Sequence, residues 1–162
     1  MSDRPFVAPV RRTDGGYALD FQTEERELLA RLLNELRALL LSDDDEHDLL
    51  LDRLFPPAYP DDEEAEAEYQ RLMRDELVAT RVASIEMVLE VLEPDTSPVL
   101  TEDQALAFMQ SLNAVRLVLG SMLGVVDDDS AERADLTDSP EHQLYAFLGW
   151  ILEWTVRALS GA

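Results

Sequence analysis

The sequence predicts a mainly α-helical fold: a single-domain bundle of about five helices, with a long central helix and a small N-terminal β-hairpin. Apolar residues recur at helical spacing in four separate stretches, whereas strand-type patterning is confined to residues 6–21. Hydrophobic residues make up 46% of the 162, enough for an ordinary core in a chain of this length. One domain, residues 1–162, is therefore expected.

Asp14-Gly15-Gly16 is a turn signal between two short runs, Phe6–Arg12 and Tyr17–Phe21. Pro9 removes a backbone donor, which makes the first run an edge strand. A lone hairpin is marginal in water, so this one must pack on the helices. Thr23 is the expected N-cap of a first helix, Glu24–Leu41, with a stripe of Leu28, Leu29, Leu32, Leu36 and Leu39. A short second helix is expected over about Glu46–Leu54. The prolines of Phe55-Pro56-Pro57-Ala58-Tyr59-Pro60 then exclude regular helix. The long third helix is expected from about Asp61 to Leu92, acidic at its start and apolar on most sides later, as a centrally buried helix would be. After a loop at Pro94–Pro98, Thr101 and Gln104 form a capping box for a fourth helix that ends near Gly124. Residues 125–139 are expected to form an acidic flexible loop. Ser139-Pro140-Glu141 opens the last helix, which ends near Leu159 before Gly161.

The net charge is −22, and all 13 basic residues are arginine against 35 acids. Such a chain repels phosphate backbones, so direct nucleic-acid binding is disfavoured. The acidity itself fits either a solvated surface or attraction to a basic partner. Cysteine is absent, which removes disulfides, thiolate metal sites and thiol switches. The N-terminus has no signal-peptide run, and no window of about 18 uninterrupted apolar residues occurs, so a cytoplasmic chain outside the membrane is expected. His47 and His142 lie far apart without metalloprotease spacing, and neither a nucleophile elbow nor a phosphate-binding glycine loop is present. No catalytic residue, metal site or cofactor is expected, and the chain reads as a non-enzyme.

Two arginines stand out in Ser111–Gly124 and in the long helix. Arg116 falls within the apolar face of Ala105, Phe108, Leu112, Val115 and Leu119, and none of its neighbours three or four residues away is acidic. Arg81 is likewise surrounded by Leu77, Val78, Ser84 and Ile85. A cation so placed needs a tertiary partner. With 35 acids available, ion pairs to other helices are the commoner solution. The alternative is an anion or ligand pocket between the third and fourth helices, lined by Arg74, Arg81, Asn113 and Arg116. Candidate partner-binding residues are the acids Asp61, Asp62, Glu63 and Glu64, and Trp150 and Trp154 of the last helix, for which core packing together with Phe147 is the commoner role; the second apolar side of that helix also allows a homodimer. Gly120 and Gly124 permit close approach of a neighbouring element.

The runs LLLDRLFPPAYPDD (Leu49–Asp62) and LNAVRLVLGSMLGV (Leu112–Val125) resemble two signature segments of an actinobacterial family, domain of unknown function 2017. The order of elements is similar over nearly the whole chain. The resemblance implies an intracellular, mainly helical regulator of the AosR type: transcription-associated, oxidative-stress-responsive, and often encoded near the proteolytic adaptor ClpS. A protein partner is expected on that ground. Without cysteine, any such response in this chain runs without a thiol.

Overall fold

In the computed structural model, the described residues are 6–42, 54–93, 99–123 and 139–161. They form β1 (Val10–Thr13), β2 (Gly16–Leu19), α1 (Thr23–Leu41), α2 (Glu63–Val91), β3 (Val99–Leu100), α3 (Glu102–Leu123) and α4 (Pro140–Ser160). The chain is mainly helical, with four helices and a small antiparallel sheet among the described residues. Residues 46–53 of the expected second helix, the loop at 94–98 and residues 125–138 of the expected acidic loop lie outside them.

The hairpin forms as its turn chemistry requires, with Val10 opposite Leu19 and Thr13 opposite Gly16. Asp20 donates its N–H to the carbonyl of Pro9 at 2.8 Å, one step beyond the ladder. A third strand joins it, pairing Tyr17 with Leu100 and Ala18 with Val99, so the sheet order is β1-β2-β3. Two residues carry too little periodicity to be read as a strand. Val10, Tyr17, Leu19 and Leu100 turn inward and are buried. This solves the problem of a lone hairpin, because one face of the sheet covers the helical core.

Capping explains where the helices start. The Gln22 backbone N–H donates to Glu25 Oε1 at 2.8 Å, so the cap sits one residue before Thr23. Asp62 Oδ1 accepts from the Ala65 N–H and opens α2. Thr101 Oγ1 accepts from the Gln104 N–H, while Gln104 Oε1 accepts from the Thr101 N–H, which completes the expected capping box. Ser139 caps α4 with Pro140 in its first turn, and Gly161 ends that helix in the left-handed conformation (φ 74°). The Ser139 hydroxyl also lies 2.5 Å from His142 Nδ1. It accepts from the His142 backbone N–H as well, so both contacts belong to the cap of α4.

The long helix is not the central one. Only Ile85, Val88 and Val91 of α2 are buried, all near its C-terminal end, and Leu72 is 61% exposed. The centre is α3, which packs against α1, α2, α4 and the sheet, and which buries nine residues including Phe108, Leu112 and Val115. Apolar content alone does not separate the two: α2 is long because its acidic first half continues beyond the part that packs. By length and composition α3 is also apolar enough to cross a membrane; in the bundle 44% of that window is buried, while Leu117 and Met122 are exposed. The buried stripe of α1 is Leu29, Leu33, Leu36 and Leu40, rotated slightly from the expected one.

Ser111 and Thr155 are buried polar side chains. Thr155 Oγ1 donates to the Ile151 carbonyl at 2.8 Å, whereas Ser111 Oγ has no partner among the described residues. An unsatisfied buried hydroxyl carries its desolvation cost without return. Ser111→Ala is therefore expected to leave stability unchanged or raise it by about 1 kcal/mol. Urea unfolding checks this, and a clear loss would show that the hydroxyl is bonded after all.

Candidate functional site

The α3–α4 seam is antiparallel and set by small residues. A Cβ added at Gly120 would come 3.0 Å from the Tyr145 ring, and one at Gly149 would come 3.3 Å from Arg116 Nε. Gly120 thus receives Tyr145, and Gly149 receives the Arg116 side chain. The Arg116 guanidinium carbon lies 4.3 Å from the centre of the Tyr145 ring. The cation is therefore held between an aromatic face on one side and bare helix backbone on the other. The ring quadrupole offsets part of its desolvation, by about 0.5–2 kcal/mol. It accepts none of the five guanidinium N–H groups.

No carboxylate reaches Arg116 among the described residues, and its Nε is buried without a hydrogen-bond partner. The expected ion pair locking the fourth helix to the third is thus not what holds this segment. Arg116 points to α4, and its counterpart there is an aromatic ring. Next to it, a cleft of about 510 Å³ runs along the α3–α4 seam. Asn113, Gln110, Glu153 and Arg157 supply its polar groups, and Met109, Leu152 and Val156 its apolar ones. Arg157 is paired with Glu153 at 2.8 Å.

The four arginine-pocket residues do not converge. Asn113 and Arg116 share the cleft just described. Arg74 lines a different and larger cavity, about 1140 Å³, beside Phe55, Glu66 and Gln70. There its guanidinium bonds Gln70 Oε1 at 2.9 Å and lies 5.9 Å from the Phe55 ring centre. Arg81 lines neither cavity. Its Nε is buried and unpaired among the described residues, and burial pushes its guanidinium below the ordinary arginine range. Arg74 and Arg81 belong to α2, whereas the cleft that holds Asn113 and Arg116 is lined, among the described residues, by α3 and α4 alone.

Glu66 ties the proline-rich connector to α2. Its carboxylate accepts from Gln70 Nε2 at 2.6 Å and from the Tyr59 N–H at 2.8 Å, and these bonds, Gln70 first, hold its pKa below the ordinary glutamate value. Contacts of this kind are present above the unfolded-state pKa and are lost as pH falls through the lowered one. Asp61, Asp62, Glu63 and Glu64 are exposed, with Asp62 engaged as the cap. Among the described residues no cation pairs with these four; the nearby Arg71 pairs with Glu68.

Trp150 and Trp154 join an aromatic cluster on α4, in which Phe147 and Trp154 are partly buried against the core and Trp150 is exposed. Phe6 contacts both, with ring centres 6.5 and 5.6 Å apart, and Phe147 stacks on Trp150 at 6.1 Å. The Arg157 guanidinium lies 5.2 Å from the Trp154 ring centre. Phe6 is 67% exposed and Trp150 40%. Leu148, Ile151, Thr155 and Ala158 of α4 are buried, while Phe147 and Trp154 are partly buried and pack against the core beside them. Tyr145 and Gly149 escaped sequence reasoning. The available signal was a glycine inside an otherwise bulky apolar helix, FLGWIL, which marks a close approach.

The described residues thus form a mainly helical fold with an arginine-bearing seam and a partly exposed aromatic cluster on its last helix. Residues 5–159 match the model of the family described as domain of unknown function (DUF2017). The chain belongs to that family. No curated protein matches it, and neither does any solved structure.

Proposed function

We propose that this chain is a non-enzymatic regulatory protein of the cytoplasm that acts through protein–protein contacts, as an actinobacterial AosR-type member engaged with transcription or stress-response machinery. The observation that carries the reading is the aromatic cluster of Phe6, Phe147, Trp150 and Trp154. Interface anchors are enriched in tryptophan and arginine, and exposing a tryptophan beside an exposed phenylalanine loses apolar burial unless something covers them. The exposed acids at the start of α2 offer a second, charge-based contact for a basic partner.

Affinity capture from the native host followed by mass spectrometry tests this. Trp150→Ala with Phe6→Ser is expected to remove the specifically captured protein. Replacing Asp61, Asp62, Glu63 and Glu64 by serine is expected to weaken capture and to make it less salt-sensitive, while the helix start survives because serine caps about as well as aspartate. Identical capture by all three proteins would rule out both surfaces. Sedimentation of the wild type and the aromatic variant tests the homodimer through α4.

A second reading, a ligand-sensing module, is favoured by one observation: Arg116 is a fixed cation without a carboxylate partner among the described residues, beside a cleft of ligand size.

A further inference from the structure

We infer that the α3–α4 cleft binds a small monocarboxylate with an apolar body, its carboxylate on Arg116 and Asn113 and its body along Met109, Leu152 and Val156. This deepens the ligand-sensing reading and rests on it. Three features set the ligand class. The first is the cation. Arg116 is positioned by Tyr145 at 4.3 Å and by the backbone at Gly149, so little side-chain entropy remains to be lost on binding, and among the described residues no protein carboxylate takes its donors. Of the two arginines lining the cleft, it is the uncompensated one, since Arg157 is neutralised by Glu153 at 2.8 Å.

The second feature is charge number. Glu153 lines the same cleft, and the whole chain carries −22. A dianion would meet one free cation and a nearby carboxylate, whereas a monoanion needs only the one cation. The third is shape and polarity. About 510 Å³ lies within the range of small-molecule sites, and beyond Arg116 and Asn113 the wall carries Met109, Leu152 and Val156 beside Gln110 and the mutually neutralised Glu153–Arg157 pair. On the antiparallel seam, Arg116 lies opposite Gly149. Asn113 and Met109 follow at successive turns of α3, with Leu152 and Val156 on α4, so the apolar side chains continue the line that starts at Arg116, and among the described residues the only charges beside them are the paired Glu153 and Arg157. An aliphatic or aryl carboxylate fits that line; phosphate fits only its polar end.

Isothermal titration of the full chain with sodium octanoate, octanamide, sodium acetate and inorganic phosphate, at constant ionic strength, is the test. Saturable octanoate binding is expected, with octanamide and acetate each weaker by about tenfold or more, the scale of one charge-assisted hydrogen bond or of several buried methylenes. Asn113 is exposed, so Asn113→Asp keeps the fold and places a carboxylate beside Arg116; it should abolish octanoate binding. Arg116→Met should do the same while circular dichroism stays unchanged. Phosphate binding without octanoate binding would overturn the ligand class and leave the anion site standing. Absence of heat from every anion would overturn both. Equal binding of octanoate and octanamide, or octanoate binding that survives Asn113→Asp, would overturn the role of Arg116.

Discussion

Gly16→Val is expected to destabilise the protein by about 3 kcal/mol or more, lowering the melting temperature by roughly 10 °C. Gly16 has φ 149°, a conformation that side-chain-bearing residues rarely adopt. It also faces the third strand: a Cβ there would come 2.2 Å from the Leu100 carbonyl oxygen, far inside contact distance, and 3.0 Å from Val99 Cγ1. A backbone carbonyl cannot step aside as a flexible side chain can, so β3 must leave the sheet. Leu100 is 1% exposed and would be pulled from the core with it. Gly15→Ala is the matched control. Its Cβ would meet only Val99 Cγ1 at 3.8 Å, an ordinary contact, so a change within about 0.5 kcal/mol is expected. Urea unfolding of the pair separates backbone conflict at one glycine from a general effect of shortening turn flexibility. Equal stability of both variants would mean that β3 does not hold the hairpin.

What the sequence made legible were features written in local chemistry. The Asp14-Gly15 turn, the Thr101–Gln104 capping box and the Ser139-Pro140 start are all present, because each depends on residues within four positions of one another. The solitude of Arg116 and Arg81 within their own helices is also readable at that range. Their surroundings are not. Tertiary pairing is the expected answer, and for Arg116 the structure supplies an aromatic ring and a glycine from α4, at residues 145 and 149. Abundant acids do not guarantee a pair, because those among the described residues sit mostly at the exposed start of α2 and on other exposed positions, where water solvates them better than a buried arginine would. Centrality is hidden for a related reason. The apolar residues of α2 are spread around the helix over many turns, whereas α3 has neighbours on several sides along its whole length. Hydrophobic content reports how much surface wants burial, not how many neighbours arrive to bury it. The two-residue strand Val99–Leu100 carries no pattern of its own and exists because β2 offers an unpaired edge.

That central position of α3 predicts the second large effect. Phe108→Ala should cost about 4 kcal/mol, the range for deleting a buried aromatic ring. Phe108 is 1% exposed and lies where three layers meet. Its ring centre is 6.1 Å from that of Phe21, in the link between β2 and α1, while α3 itself also packs against β2 and β3. Removing the ring leaves a void beside Phe21 within the buried core. Phe108→Leu should recover roughly half of the loss, since the cost grows with the cavity that remains. Leu117→Ala on the same helix is the comparison that isolates burial from helix propensity: Leu117 is 41% exposed, and alanine is the better helix former, so a change under about 1 kcal/mol is expected. Chemical denaturation followed by both far-ultraviolet circular dichroism and tryptophan fluorescence reads the effect twice. The two tryptophans lie on α4, remote in sequence from Phe108, so coincident transitions would show that the sheet, α3 and α4 unfold as one cooperative unit. A fluorescence transition left unchanged by Phe108→Ala would instead separate α4 and its aromatic face from the core that α3 organises.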